Sequence, residues 1–471
     1  MFIGRKNELQ FLEDKYRSKG GQLIVVYGRR RIGKTETLRK FCEGKDHVFY
    51  TCTESTNEKQ LKDFSARMLK KNVPAAKYLR EFADWEQAFA CVSELPSEGK
   101  KLLIIDEFPY MIKNNRSIPS LLQKLWDEKL KAENVMIILC GSAMSFIEKE
   151  VLAEKNPLYG RATGILKMSK MDFYDAIQFF PKYPHLEKIY AYAILGGIPH
   201  YLKQFDHNQS LEKNIKANIL QKGSILYSEI EFLIRQELRE TTIYNTIIEA
   251  IALGNTKLNE IYQKTQIDKN KLTVYLKNLI DLGIIEREFP VSESIKKQAS
   301  FQRGLYQITD NFFRFWYAFV FPCISELETG DIDGVFHQVV KPSLNQFTSR
   351  SFELICREYL RKLNRQERLP FRFTKIGRWW DKTDELDIMA TDKEKNHFLI
   401  GECKFKNAPF NLKDLNTLLA KFKPSNNTAR VYYYLFSKNG FSDELISFAA
   451  QKNIYPVTIN QLIDGLPPVL P

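Results

Sequence analysis

Residues Gln22–Tyr27 form an uninterrupted apolar, largely β-branched run, the pattern of a strand buried on both faces of a parallel sheet. A glycine-rich turn follows at once, and from Glu36 to Cys42 the apolar positions recur at helical spacing. The apolar runs at 102–105 and 135–140 repeat the strand pattern, with helical stretches between them. That alternation predicts an α/β domain built on a parallel sheet. Further along, helical spacing over 241–253 stops at Gly254. Two more helices are predicted over 258–265 and 269–282, the second opened by Asp268 as N-cap and closed by Gly283. Residues 284–289 and 304–308 read as two strands with basic Lys296, Lys297 and Arg303 between them, so the order is that of a winged helix-turn-helix.

Residues 312–321 are strongly apolar but broken by Arg314 and only half as long as a bilayer crossing requires, which predicts a core helix. From about Ser343 the pattern changes again. An amphipathic helix is expected over 351–363, then strands near 371–375, 386–390 and 398–405, the last two joined by a polar turn at 392–396.

The turn after the first strand reads Gly28-Arg29-Arg30-Arg31-Ile32-Gly33-Lys34-Thr35 and fits G-x-x-x-x-G-K-[ST] in the required strand, loop and helix order. Glycines let backbone N–H groups approach phosphates, and the following helix presents its positive end to them. Lys34 then reaches the β- and γ-phosphates, and Thr35 offers its hydroxyl to Mg²⁺. The run at 102–105 ends in Asp106-Glu107, the arrangement of a Walker B element: Asp106 holds Mg²⁺ through water, and Glu107 polarises the attacking water. The run at 135–140 leads into Gly141-Ser142, which makes Ser142 a candidate γ-phosphate sensor.

On these residues the chain resembles a known group. Phe2-Ile3-Gly4-Arg5-Lys6-Asn7-Glu8-Leu9 looks like the FxGR-x-x-EL signature of AAA+/STAND-type ATPases, and Leu195-Gly196-Gly197-Ile198-Pro199 resembles their GxP motif in the helical lid. With Walker A and B they match the archaeal-type ATPase family over roughly residues 1–210. The resemblance implies that Gly4, Arg5 and Pro199 lie near the adenine. Arg161 it offers as a nucleotide-sensing or finger arginine, with a structural salt bridge as the alternative. The stretch from Asp310 to Tyr317 is similar to the DNFFRFWY segment that accompanies this family's C-terminal region.

In the last third, Asp387 lies within one expected strand and Glu402-Cys403-Lys404 near the end of the next. Side chains alternate along a strand, so Glu402 and Lys404 share a face and Cys403 points away. Should Asp387 face them, two carboxylates and an ammonium converge, a group suited to Mg²⁺ and phosphodiester hydrolysis. This pattern resembles the PD-(D/E)XK nuclease superfamily over roughly residues 343–440, with Glu353 matching its additional helical acid. Glu385-Leu386-Asp387 stands where that superfamily often has Pro-Asp. Arg378-Trp379-Trp380 either stacks on a nucleic-acid backbone or packs. A degenerate domain, with these charges forming an internal salt bridge, is the alternative reading.

The fold expected is therefore α/β in four parts. These are a P-loop parallel-sheet ATPase core over 1–170, a helical lid over 171–235, a winged helix-turn-helix with its following core helix over 236–320, and a restriction-endonuclease-like α/β domain over 321–471.

Net charge changes the picture only in its partner. A formal charge of +13 predicts attraction to polyanions, with DNA first among them, and Lys269, Asn270, Lys271, Thr273 and Lys277 are available on the third helix of the winged element. Seven scattered cysteines without a C-x-x-C pair predict reduced, mostly buried thiols, and six dispersed histidines leave a metal to oxygen ligands, hence Mg²⁺. No secretory pattern opens the chain, so a cytoplasmic setting away from membranes is expected. Self-association is left open. The functional expectation is ATP binding and hydrolysis coupled to DNA binding and Mg²⁺-dependent DNA cleavage, in defence or foreign-DNA processing. A signalling switch that binds partners without cutting them is the other reading.

Overall fold

The computed structural model describes residues 2–293, 304–424, 428–449 and 453–468. Lys296, Lys297 and Arg303, expected in the wing, lie outside the described residues. The chain divides into two compact units, Met1–Met171 with Ile198–His200, and Asp172–Gly197 with Tyr201–Pro471.

The first unit holds a five-stranded sheet of β1 (Gln22–Tyr27), β2 (His47–Thr51), β3 (Lys101–Asp106), β4 (Val135–Gly141) and β5 (Gly164–Lys167) in the order β2-β3-β4-β1-β5. Every pairing is parallel, with Gln22 opposite Met136 and Tyr27 opposite Gly141 at the two ends of the central pair. The uninterrupted apolar pattern of β1 follows from burial on both sides. Leu23, Val25 and Tyr27 join one core cluster and Ile24 and Val26 the other. Each buried aliphatic side chain contributes about 1.5–3 kcal/mol, so the three central strands anchor the sheet and hold their C-terminal ends in one row.

In the second unit, helices Thr241–Ala252, Leu258–Thr265 and Lys269–Asp281 precede an antiparallel pair, β6 (Ile285–Glu288) and β7 (Leu305–Ile308). Asp268 caps the third helix by accepting from the backbone of Asn270 and Lys271, and Gly283 follows it at φ 66°. The apolar stretch around Arg314 is helical and buried. Its arginine donates through Nη2 to the Phe347 carbonyl at 3.1 Å and Ser351 Oγ at 2.8 Å while lying 4.3 Å from the Phe347 ring centroid. Among the described residues no helix is long and apolar enough to cross a membrane.

A 25-residue helix, Lys341–Arg365, leads into the last sheet. Its strands are β8 (Lys375–Trp380), β9 (Glu385–Thr391), β10 (His397–Lys404), β11 (Arg430–Ser437) and β12 (Ile454–Val457), in the order β12-β11-β10-β9-β8. The first three run antiparallel in turn, and the last two join β10 in parallel. The strand expected near 371–375 starts only at Lys375. Asn364, on the long helix, binds both backbone groups of Phe373, donating to its carbonyl at 3.2 Å and accepting from its N–H at 3.0 Å. Those are the groups a ladder would have used.

Candidate functional site

The loop between β1 and the helix Lys34–Cys42 has the shape its glycines require. A Cβ on Gly28 would stand 2.3 Å from the Met168 carbonyl oxygen, and Gly33, at φ 87°, sits at the helix N-terminus. Arg29, Arg30, Arg31 and Ile32 fill the variable positions, Arg31 with φ 70°. Lys34 is buried and donates to the carbonyls of Gly28 at 2.8 Å and Arg29 at 3.0 Å, so its ammonium is held across the loop's concave side. Burial lowers its pKa, while Asp106 and Glu107 act in the opposite sense.

Thr35 Oγ1 donates to Asp106 Oδ2 at 2.8 Å, bringing Walker A and Walker B into direct contact. Asp106 is buried at the end of β3, and its other oxygen accepts from the Glu107 N–H at 3.0 Å. Glu107 adopts φ 53°, and its carboxylate accepts from Ser142 Oγ at 2.7 Å and from the Ser142 N–H at 3.4 Å. Lys34, Thr35, Asp106, Glu107 and Ser142 therefore share the C-terminal edge of the sheet. A hydroxyl and a carboxylate already in contact are hard oxygen donors of the kind Mg²⁺ takes.

The residues singled out by resemblance fall differently. The Pro199 ring lies 3.7 Å from where a Cβ on Gly33 would be, against the phosphate loop. Arg5 follows Gly4, which takes φ 68°, and it is almost wholly buried. It donates to the carbonyls of Ile32 and Ser169, each at 2.7 Å, and pairs with Glu8. The side chain thus fastens the last turn of the phosphate loop to the start of the chain. Arg161 forms a forked pair with Asp127, at 2.9 Å and 2.8 Å to Oδ2, with Pro157 O as a further acceptor at 3.1 Å. The structural ion pair is the arrangement found. One neighbour escaped the sequence: Cys140, buried at the end of β4, lies beside Asp106, and burial first, then the charge of Asp106, pushes its pKa up. A cysteine inside an apolar run carries no signal of that contact.

In the second unit, the β9–β10 ladder ends at Ile388 opposite Gly401, one step before Asp387 and Glu402. There Asp387 Oδ2 accepts from the Cys403 N–H at 2.8 Å. Glu402 is buried. Its Oε1 accepts from Lys404 Nζ at 2.7 Å, and its Oε2 has no hydrogen bond, with Lys421 Nζ standing 3.7 Å away. Glu353 projects from the long helix. Burial first, then the charge of Asp387, pushes its pKa up to about 7, and burial with the charge of Glu402 raises Asp387 to about 6. Arg378 on β8 lies 3.9 Å from Glu353, donates to Glu288 at 3.1 Å and also pairs with Glu385.

Among the described residues no three carboxylate, His or Cys groups converge as a metal-ligand set. What the fold does bring together is Glu402 with Lys404, and Asp387 with both Glu402 and Glu353 as electrostatic neighbours.

Comparison with known proteins agrees with the nucleotide site. A model of an ATPase domain predominantly from Archaea matches residues 2–205, and a model of archaeal and bacterial proteins of unknown function matches residues 316–417. An uncharacterized protein of Methanocaldococcus jannaschii is 38% identical over 411 residues, covering 86% of this chain and 88% of its own length. An uncharacterized ATP-binding protein of the same organism is 53% identical over 45 residues, which is 10% of this chain and 76% of that protein. In fold the chain is similar to a Walker-type ATPase of Pyrococcus abyssi at 22% identity, with a TM-score of 0.50, covering 67% of this chain and 96% of that one. With a relative 38% identical and matched over 88% of its length, the chain belongs to the same family as that uncharacterized Methanocaldococcus jannaschii protein, and its residues 2–205 form an archaeal-type ATPase domain.

Proposed function

We propose that this protein hydrolyses ATP in its first unit and binds and cuts DNA with its second. For ATP, the contact between Thr35 and Asp106, with Lys34 lying across the loop, carries the reading. Lys34 exchanges its carbonyl partners for phosphate oxygens, and Ser142 holds Glu107 where a water attacking the γ-phosphoryl must be oriented.

For DNA cleavage, the supporting observation is the buried Glu402, whose second oxygen has no hydrogen-bond partner, beside Asp387 and Glu353. A divalent cation held by such acids supplies Lewis-acid stabilisation and a more acidic bound water. Lys404, already fixed by Glu402, orients the water or the developing oxyanion. The second reading, a nucleotide-driven switch that binds without cutting, draws on the Lys404–Glu402 pair as an internal salt bridge. Cleavage of labelled DNA with Mg²⁺ or Mn²⁺, with and without ATP, separates the two.

The three helices and β6–β7 we read as a winged helix-turn-helix whose third helix contacts DNA. Lys269, Asn270, Lys271, Thr273 and Lys277 are all exposed on it, while Leu272, Leu276 and Leu279 face the core. The expected result is DNA affinity that falls steeply with salt. Replacing Lys269 and Lys271 by Ala weakens binding across sequences and reduces the slope of log K against log salt by about 1 per lysine. Fluorescence anisotropy over a salt series measures both, and an unchanged slope in the double variant counts against this helix.

A further inference from the structure

The sheet of the first unit ends on one side at β2, which pairs with β3 and with no other strand among the described residues. Along such a strand the backbone groups of successive residues point to opposite sides. The Cys52 N–H donates to the Asp106 carbonyl at 2.8 Å, so residues 48, 50 and 52 face β3. The Phe49 carbonyl, which accepts from Arg67 Nη1 at 3.2 Å, faces outward together with the backbone groups of His47 and Thr51. Beside this edge lies a cavity of about 630 Å³, lined by residues 47–51 and, on or just after helix Asn57–Leu69, by Asp63, Ala66, Arg67, Lys70 and Lys71.

We propose that this edge receives an extended acidic segment of a partner protein, added to the sheet as a further strand. The surface belongs to the first unit and stands or falls apart from the nuclease reading.

The edge is held ready for pairing. β2 keeps one unbroken register with β3, from His47 opposite Leu102 to Thr51 opposite Asp106, and contains neither Pro nor Lys. Bulges, Pro and Lys are the devices that usually make an exposed strand unfit for pairing. Both faces of the strand are also anchored. Val48 and Tyr50 belong to one core cluster, while Phe49 packs against the other and has Arg39 5.1 Å from its ring centroid. An incoming strand therefore meets a template already ordered, and little conformational entropy is lost on this side. Five residues span about 17 Å, which sets the length of segment that the edge accepts.

Charge decides which kind of strand fits. Among the residues lining the cavity, the exposed cations Arg67, Lys70 and Lys71 stand against one acid, Asp63, and Asp63 is paired with Lys59. A segment with Asp or Glu on the side facing the helix is favoured by that balance. Phosphates of a nucleic acid are drawn to the same cations, but they only accept hydrogen bonds. The β2 edge presents N–H and C=O groups together, which another polypeptide backbone matches. A second copy of the chain brings a net charge of +13 to a basic surface, which opposes self-pairing.

The test uses the full chain and a labelled peptide of alternating Glu and Thr. Fluorescence anisotropy is expected to show binding that weakens at least about tenfold in Lys70→Glu/Lys71→Glu protein. It is expected to weaken as far when alternate peptide nitrogens are methylated, which removes ladder hydrogen bonds and keeps every charge. Amide hydrogen exchange in residues 47–51 slows on binding, because the His47, Phe49 and Thr51 N–H groups gain acceptors. ATP binding by the double variant, whose changes lie away from Lys34 and Asp106, reports that its fold is intact. If the methylated and parent peptides bind alike, or the double variant keeps full affinity, the edge is not a site of strand addition. Protection of residues 47–51 that appears without peptide as protein concentration rises gives the edge to a second copy instead. Binding of a single-stranded oligonucleotide that is lost in the double variant, with no binding of the peptide, gives the cations to nucleic acid and overturns the proposal.

Discussion

Lys34→Ala protein is expected neither to retain ATP nor to release phosphate above background, and Glu107→Gln protein is expected to bind ATP normally but to turn it over at least about 100-fold more slowly. The two differ because the side chains do different work at the same edge of the sheet. Lys34 is a buried cation that donates to the Gly28 and Arg29 carbonyls, neutral partners that phosphate oxygens replace to advantage. Removing it deletes the charge that binds the β- and γ-phosphates and leaves the loop's backbone geometry to Gly28, Gly33 and the Arg5 clamp on Ile32. Glu107 is oriented by two hydrogen bonds from Ser142, one to each carboxylate oxygen, and glutamine keeps an oxygen for the shorter one, from Ser142 Oγ. What glutamine lacks is the negative charge that polarises water. Nucleotide binding followed with a fluorescent ATP analogue, alongside phosphate release, distinguishes the two defects. Undiminished phosphate release from purified Lys34→Ala protein would place the chemistry elsewhere.

The nucleotide site was legible because its signals are local. A strand buried on both faces shows as an unbroken apolar run, the loop spacing is fixed within eight residues, and Asp106 and Ser142 terminate runs of the same kind. Pairings distant in sequence left no such trace. Arg161 had two open roles until Asp127, 34 residues earlier, was found to grip it. Arg5 was expected beside the adenine, and its hydrogen bonds to Ile32 and Ser169 follow from chain geometry that no motif encodes. The start of β8 was misplaced for a similar reason, since a helix residue, Asn364, takes the backbone of Phe373. In the C-terminal unit, Asp387, Glu402 and Lys404 were readable as residue types. Arg378 as a hub between Glu288, Glu353 and Glu385 was not, because its partners lie on β6, the long helix and β9.

Asp387→Asn is expected to remove the proposed metal-dependent DNA cleavage, by at least about 100-fold, and to raise the melting temperature of the protein near pH 8. The two effects have one origin. Asparagine retains an oxygen for the Cys403 N–H, so the packing of β9 on β10 is preserved. It lacks the charge that would ligate a cation, and the same charge is unfavourable in the metal-free protein. Burial and the neighbouring Glu402 raise Asp387 from its ordinary 3.8 to about 6, and burial with Asp387 raises Glu353 from 4.5 to about 7. The sign follows from linkage. Below about pH 3 these acids are protonated in both folded and unfolded chains and cost nothing. As pH rises, the unfolded chain ionises first, so each raised pKa subtracts stability, and the full penalty is present once pH exceeds the folded values. Asp387→Asn removes its own share and relieves Glu353, so its advantage in melting temperature grows as pH rises from about 4, is full above about 6 to 7, and vanishes toward about pH 3. Added Mg²⁺ or Mn²⁺ should stabilise the wild type more at pH 8 than at pH 6, because binding must displace protons, and should do little for the variant. Melting curves at three pH values, with and without metal, are compared with cleavage of labelled single- and double-stranded DNA by the same two preparations. A variant that melts as the wild type does at every pH would mean these acids are not electrostatically opposed. Equal nicking by both proteins, or none by either, would assign the second unit to binding alone, with the Glu402–Lys404 pair as an internal salt bridge.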